Sequence, residues 1–162
     1  MMNYMIRAVT VQDVPFLWEM LYASIYVPAG QPPVSRDILK EPALAKYVEG
    51  WGRKGDIGYI AMDEAGRSIG SITCRLFDEI SQGFGYVDQE TPELGMAILE
   101  AYRGKGVGTA LMSKLLDEVR RQGIKQVSLS VDPDNYAVRL YKKFGFREVG
   151  VVGTSITMVA KL

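Results

Sequence analysis

Residues 103–108 read RGKGVG, and residues 109–123 continue TALMSKLLDEVRRQG. Across the two stretches Val107, Leu111, Leu115 and Val119 recur at helical spacing, widened by Met112 and Leu116. Gly123 stands where a left-handed C′ residue closes a helix. Ahead of the glycines, Glu93 to Leu99 (ELGMAIL) reads as a strand. The glycines therefore lie between a strand and a helix N-terminus. Such a terminus exposes unpaired N–H groups and a partial positive charge that suit a phosphate. Glycine lets a ligand approach the backbone and lets neighbouring amides converge. The Walker pattern is absent, and the dinucleotide fingerprint would need glycine at Thr109. On these residues alone the loop is either an anion cradle or a solvated turn.

The rest of the chain supplies a frame. Residues 3–9 form a candidate strand. Thr10 and Asp13 have capping-box spacing, followed by Val14, Leu17, Trp18 and Leu21 at i, i+3, i+4 and i+7. Three prolines break residues 24–34 into a loop. Ser35 can cap a second helical region reaching about Trp51, split or kinked by Pro42. Residues 56–63 and 67–77 read as strands joined by DEAG, and residues 78–92 as a loop or an extension of that hairpin. QVSLSV alternates over residues 126–131. Asp134 or Asn135 starts a helix carrying Ala137, Leu140, Tyr141 and Phe144, and two strands close the chain at 146–152 and 155–161. The order β-α-α-β-β-β-α-β-α-β-β implies an α/β fold. It consists of a single mixed, mostly antiparallel twisted sheet of about six to seven strands flanked by about four helices. Residues 1–162 are expected to form one domain.

Composition removes several chemistries. Nineteen Lys and Arg balance nineteen Asp and Glu, so no global field favours nucleic acid or an anionic membrane. No apolar run is long enough to span a bilayer, and the N-terminus lacks the charge and apolar pattern of a signal peptide. The single cysteine, Cys74, fits a reducing compartment, so a cytoplasmic location is expected. It lies in a β-branched strand and reads as an inert core thiol. There is no histidine, which removes Ser-His-Asp and Cys-His machinery and the commonest ligand of catalytic zinc. DPDN at 132–135 is not a calcium loop, because Ala137 stands where glycine is required, and no metal is expected.

The segment from 93 to 150 resembles the GNAT superfamily of acyl-CoA-dependent N-acyltransferases. Its central motif [QR]-x-x-G-x-[GA] is met by Arg103, Gly104, Lys105, Gly106, Val107 and Gly108. Its second signature is met by Asn135, Ala137, Leu140, Tyr141, Gly145 and Phe146. The resemblance implies that amides from about Gly104 to Thr109 hold the pyrophosphate of acetyl-CoA, with Arg103 and Lys105 beside it. It implies that the strand before the loop splays from the next one. Pantetheine would fill that gap against Met96 and Ile98, with Asn135 hydrogen-bonding its arm.

Tyr141 would then protonate the departing thiolate. Glu93 would deprotonate the amine acceptor directly or through water, with Glu90 and Asp88 as fallbacks. A one-residue slip would turn Glu93 to the other face. Residues 76–102 hold six acidic and no basic side chains, either an acidic mouth or a solvated loop. Trp18, Tyr22, Tyr26 and Trp51 fall where the family lines its acceptor pocket, although core packing explains Trp18 equally well. Tyr141 could be a core tyrosine and Asn135 an N-cap. The implied function is transfer of acetyl from acetyl-CoA to a primary amine, with no covalent intermediate. The alternatives are a non-catalytic acyl-CoA-binding or sensing module and a nucleotide-binding domain of another class. Relatives are commonly dimers, so the resemblance leaves a homodimer open.

Overall fold

The computed structural model describes residues 3–162. The chain opens with β1 (Tyr4–Ala8), a tight turn at Val11–Asp13, and α1 (Val14–Ala23). The expected capping box forms. The Asp13 carboxylate accepts from the Thr10 amide at 2.7 Å and from both arms of the Arg7 guanidinium, each at 2.7 Å. Ser35 Oγ accepts from the Asp37 amide and starts a short 3-10 segment at Arg36–Lys40. Pro42 then begins α2 (Pro42–Ala45), which gives way to turns as far as Gly50. The second helical region is therefore split at proline as expected and is mostly turns thereafter.

β2 (Ile57–Asp63), β3 (Ser68–Arg75) and β4 (Glu93–Ile98) follow, then α3 (Val107–Arg121), β5 (Gln126–Val131), α4 (Val138–Lys143), β6 (Arg147–Val152) and β7 (Ser155–Lys161). α4 begins later than Asn135 because the Asn135 Oδ1 accepts from the Ala137 amide, making a local turn ahead of the helix. The seven strands run in the order β1-β2-β3-β4-β5-β7-β6. Every pairing is antiparallel except β4 with β5. The expected mixed, mostly antiparallel sheet with four helices is borne out.

The parallel pair is short. It joins Glu93 to Ser128, with the Ser128 amide donating to the Pro92 carbonyl at 3.0 Å. Beyond that point β4 and β5 diverge.

Alternation sorts the side chains of the sheet into two layers. One face carries Ile72, Cys74, Leu94, Val127 and Leu129 against Leu111, Leu115 and Val119 of α3. The other carries Ile60 against Leu17 of α1 and Val48. On this second face Arg75 is only 1% exposed. It grips Asp56 through two hydrogen bonds of 3.0 and 2.9 Å, donates to the carbonyls of Lys46 and Glu49 at 2.8 Å each, and lies 5.3 Å from the Trp51 ring. One buried cation thus anchors the 46–56 segment to the sheet. Arg75→Ala should destabilise by about 3–5 kcal/mol, because it strands the buried Asp56 carboxylate. Urea unfolding measures this. Asp37→Ala, which breaks an exposed pair with Lys40, should change stability by less than about 0.5 kcal/mol in the same assay.

Candidate active site

The divergence of β4 from β5 leaves half of the β4 backbone facing open space. The Leu99 amide donates to the Ile69 carbonyl at 2.8 Å, so the odd-numbered residues of this register turn their backbone groups toward β3. Met96 and Ile98 turn theirs the other way, into the gap. A cleft of about 560 Å³ opens there, lined by Met96, Ile98, Arg103, Gly104, Gly106, Val107, Gly108, Thr109, Asn135 and Tyr141. Lys105 is exposed and does not line it.

The glycine loop is shaped for this cleft. Gly104 and Gly106 hold φ of 74° and 85°, a left-handed conformation that disfavours any side chain. The first helical bond of α3 runs from the Ala110 amide to the Gly106 carbonyl, so the amides of Val107, Gly108 and Thr109 precede it and have no intrahelical partner. A methyl group at Gly108 would approach Ile98 and Leu140 at 3.1 and 3.2 Å, so glycine there lets the helix start pack tightly on β4. The Arg103 Nε donates to the Ile98 carbonyl at 3.1 Å, and its guanidinium lies 5.7 Å from the Tyr136 ring.

A second cavity, of about 350 Å³, lies toward the α1 face and shares Tyr26, Met96, Ala97, Asn135 and Tyr141 with the first. The two therefore meet beside Tyr141. Glu93 lines the second cavity and is 4% exposed. Its Oε2 accepts from the Tyr47 hydroxyl at 2.5 Å, and the Tyr47 oxygen accepts from the Phe84 amide at 2.7 Å. Glu93 Oε1 has no partner among the described residues. Two glycines allow this. A Cβ on Gly83 would sit 2.2 Å from Glu93 Oε1, and one on Gly85 would sit 2.7 Å from the Leu129 backbone.

Burial pushes the Glu93 carboxyl up to about 7, opposed by the Tyr47 hydrogen bond, the Gly85 backbone and the charge of Lys46. Burial and the Glu93 charge beside it raise the Tyr47 phenol. Tyr141 is 6% exposed, and burial raises it to about 12, with the nearby Tyr136 adding to the shift. Asn135 spends its Oδ1 on the Ala137 amide, so it caps the turn and still faces the cleft.

The Glu93 register is thus the one that turns it toward α1. Asp88 and Glu90 are exposed, and neither lines these cavities. Of the six acidic residues between 76 and 102, Glu93 alone does so; Asp78, Glu79, Asp88 and Glu90 are exposed in the loop before β4, and Glu100 is exposed in the turn after it. Tyr26 lines both cavities, whereas Trp18 and Trp51 pack in the core beside Leu17 and Val48. Tyr22 donates to the Val34 carbonyl. Cys74 is fully buried, and burial lifts its thiol to about 12, as fits an inert core position. Sequence reasoning missed Tyr47. It lies 46 residues from Glu93 in an irregular segment, and no local spacing links the two.

The family model for the acetyltransferase (GNAT) family matches residues 18–146. The chain belongs to that family. An uncharacterised N-acetyltransferase from Methanocaldococcus jannaschii is 27% identical over 99% of this chain and 68% of its own length. An N-alpha-acetyltransferase from Sulfolobus acidocaldarius is 35% identical over 64% of this chain and 63% of its own. The PaiA N-acetyltransferase of Thermoplasma acidophilum, solved in complex with coenzyme A, superposes with a TM-score of 0.71 at 20% identity, covering 99% of this chain and all of that one. At that identity the likeness is one of fold.

Membership in the GNAT family makes the chain an acyltransferase by class. No group of His, Cys, Asp and Glu able to hold a metal occurs among the described residues. The buried carboxylate has a consequence for stability. A carboxyl raised from 4.5 to about 7 keeps a proton in the folded state that the unfolded chain has already lost. Stability should therefore fall as pH rises from about 4.5 to about 7. In Glu93→Gln that fall should be smaller, and the variant should gain on the parent chain above pH 7. Urea midpoints from pH 5 to 8 measure the difference.

Proposed function

We propose that this chain transfers acetyl from acetyl-CoA to a primary amine. The observation that carries the reading is the meeting of two cavities beside Tyr141. One leads to unpaired amides at a helix N-terminus, and the other holds a buried carboxylate. Helix-terminal amides suit the pyrophosphate, with Arg103 close by to add charge. Lys105, exposed outside the cleft, would act only at longer range. Pantetheine would extend a β-like ladder along Met96 and Ile98, where β5 leaves the backbone free. For this the Arg103 side chain must release the Ile98 carbonyl.

The thioester would then lie near Met96, where a backbone amide can polarise its carbonyl. An acceptor ammonium with a pKa near ~10.4 must lose a proton before it attacks. A carboxylate titrating near neutrality is suited to take it, directly or through water. Tyr141 stays protonated across the working pH range and can supply a proton to the leaving CoA thiolate. Direct attack needs no covalent enzyme intermediate, consistent with a chain that lacks histidine.

In the same reading, residues 1–162 act as one catalytic domain in the cytoplasm. A single buried thiol supports the compartment, and among the described residues no helix is long and apolar enough to cross a membrane. A homodimer rests on the family likeness alone.

Acetyl-CoA should raise the melting temperature, and release of free CoA should depend on added amine. Stabilisation without turnover across a broad amine panel would favour a sensing module. Glu93→Gln should lower kcat/KM by about 10²–10⁴-fold and remove a pH limb near 7. Tyr47→Phe should shift that limb upward, because it deletes the hydrogen bond that stabilises the Glu93 carboxylate. Tyr141→Phe should lower kcat while stabilisation by acetyl-CoA persists, and unchanged turnover would remove Tyr141 from the acid role.

A further inference from the structure

The cavity holding Glu93 has a particular lining. Its walls are Leu17, Met20 and Leu21 of α1, Leu44 and Val48 from the segment beside it, and Phe84 from the loop above. Its floor is the sheet, where Ser71, Thr73 and Gly95 are small. At Gly95 the nearest neighbour of an added Cβ would be Thr73 Oγ1 at 3.9 Å, so the floor leaves room for a ligand.

The charges are all of one sign. Glu93 and Asp132 line the cavity, and no lysine or arginine does. The nearby cations lie outside the lining and are held by other groups, although the Lys46 charge is felt at Glu93. The Lys46 ammonium donates to the Gln82 carbonyl at 2.7 Å, and the buried Arg75 guanidinium is spent on Asp56 and two carbonyls.

We propose that the acceptor is a primary amine on an apolar body, with no carboxylate on the carbon bearing the amine. The proposal rests on the acetyl-transfer reading above. The amine would point at Glu93, and the apolar body would lie against Leu17, Met20, Leu44 and Phe84, where burial drives association. A free amino acid would bring its carboxylate in beside the attacking nitrogen. It would meet two carboxylates and no cation in the cavity wall, and a desolvated, unpaired carboxylate is strongly disfavoured. A polyamine fails for a complementary reason. Its further ammonium groups would be stripped of water against leucine and phenylalanine, with Asp132 the one remaining counter-charge.

The test uses the full chain with saturating acetyl-CoA and four acceptors: phenethylamine, phenylalanine, phenylalaninamide and spermidine. CoA release is measured, and rates are referred to the neutral amine present. Phenethylamine should exceed phenylalanine in kcat/KM by about 100-fold or more, the scale on which a site rejects a group it leaves unpaired. Phenylalaninamide, which keeps the size and removes the charge, should recover most of that loss. Spermidine should be poorer than phenethylamine. Phenylalanine within about 3-fold of phenethylamine, on that same scale, would overturn the proposal. So would a preference for spermidine, or no turnover of any of the four while acetyl-CoA still raises the melting temperature. If acetyl-CoA gave no thermal shift, the acetyl-transfer reading itself would fall, and the proposal with it.

Discussion

The architecture of the site depends on one short pairing. β4 and β5 are parallel neighbours joined at Glu93 and Ser128, and they separate immediately afterward. A sheet that stayed paired there would satisfy the backbone of Met96 and Ile98 internally and close the cleft. Because it parts, N–H and C=O groups that would ordinarily be consumed by a ladder face a cavity. The same strand runs onward into the glycine loop and the start of α3. The free backbone edge and the unpaired helix-terminal amides therefore lie along one continuous cleft.

Glu93 sits where the pairing ends, which gives it two roles. Its backbone belongs to the last joined rung, and its side chain turns into the second cavity. Keeping a carboxylate that deep requires the Tyr47 hydroxyl on one oxygen and room beside the other. Gly83 supplies that room, and Gly85 lets the loop pass close over Leu129. Arg75 secures the arrangement from beneath, tying the segment that carries Tyr47 to β3. A buried cation that touches neither cavity thus holds the wall of one of them.

Much of the fold was legible in sequence because it rests on local periodicity. The α3 stripe from Val107 to Val119, the alternation of QVSLSV and the punctuation at Gly123 each encode one element within a few residues. Boundaries drifted where a side chain competed with the backbone, as Asn135 does ahead of α4, or where the helix that Pro42 begins gave way to turns after Ala45. The glycine loop at the start of α3 was legible too, since glycines between a strand and a helix carry their own physics, although only the family resemblance chose an anion cradle over a solvated turn. The acceptor side was not. Tyr47, Phe84, Gly83 and Glu93 come from separate segments, and only tertiary packing brings them together. Nothing in the local sequence sets the register of Glu93, and only the family resemblance, through its place at the start of the ELGMAIL strand, singled it out from five solvated acidic neighbours.

The central claim is that the parted edge of β4 is a ligand-binding backbone, and residue-resolved amide hydrogen exchange with and without CoA tests it most directly. CoA should slow exchange at Met96 and Ile98, and at Val107, Gly108 and Thr109. The β4 amides of Gly95 and Ala97, already bonded to β3, should change little. Protection confined to other surfaces, with Met96 and Ile98 exchanging as fast as before, would contradict it.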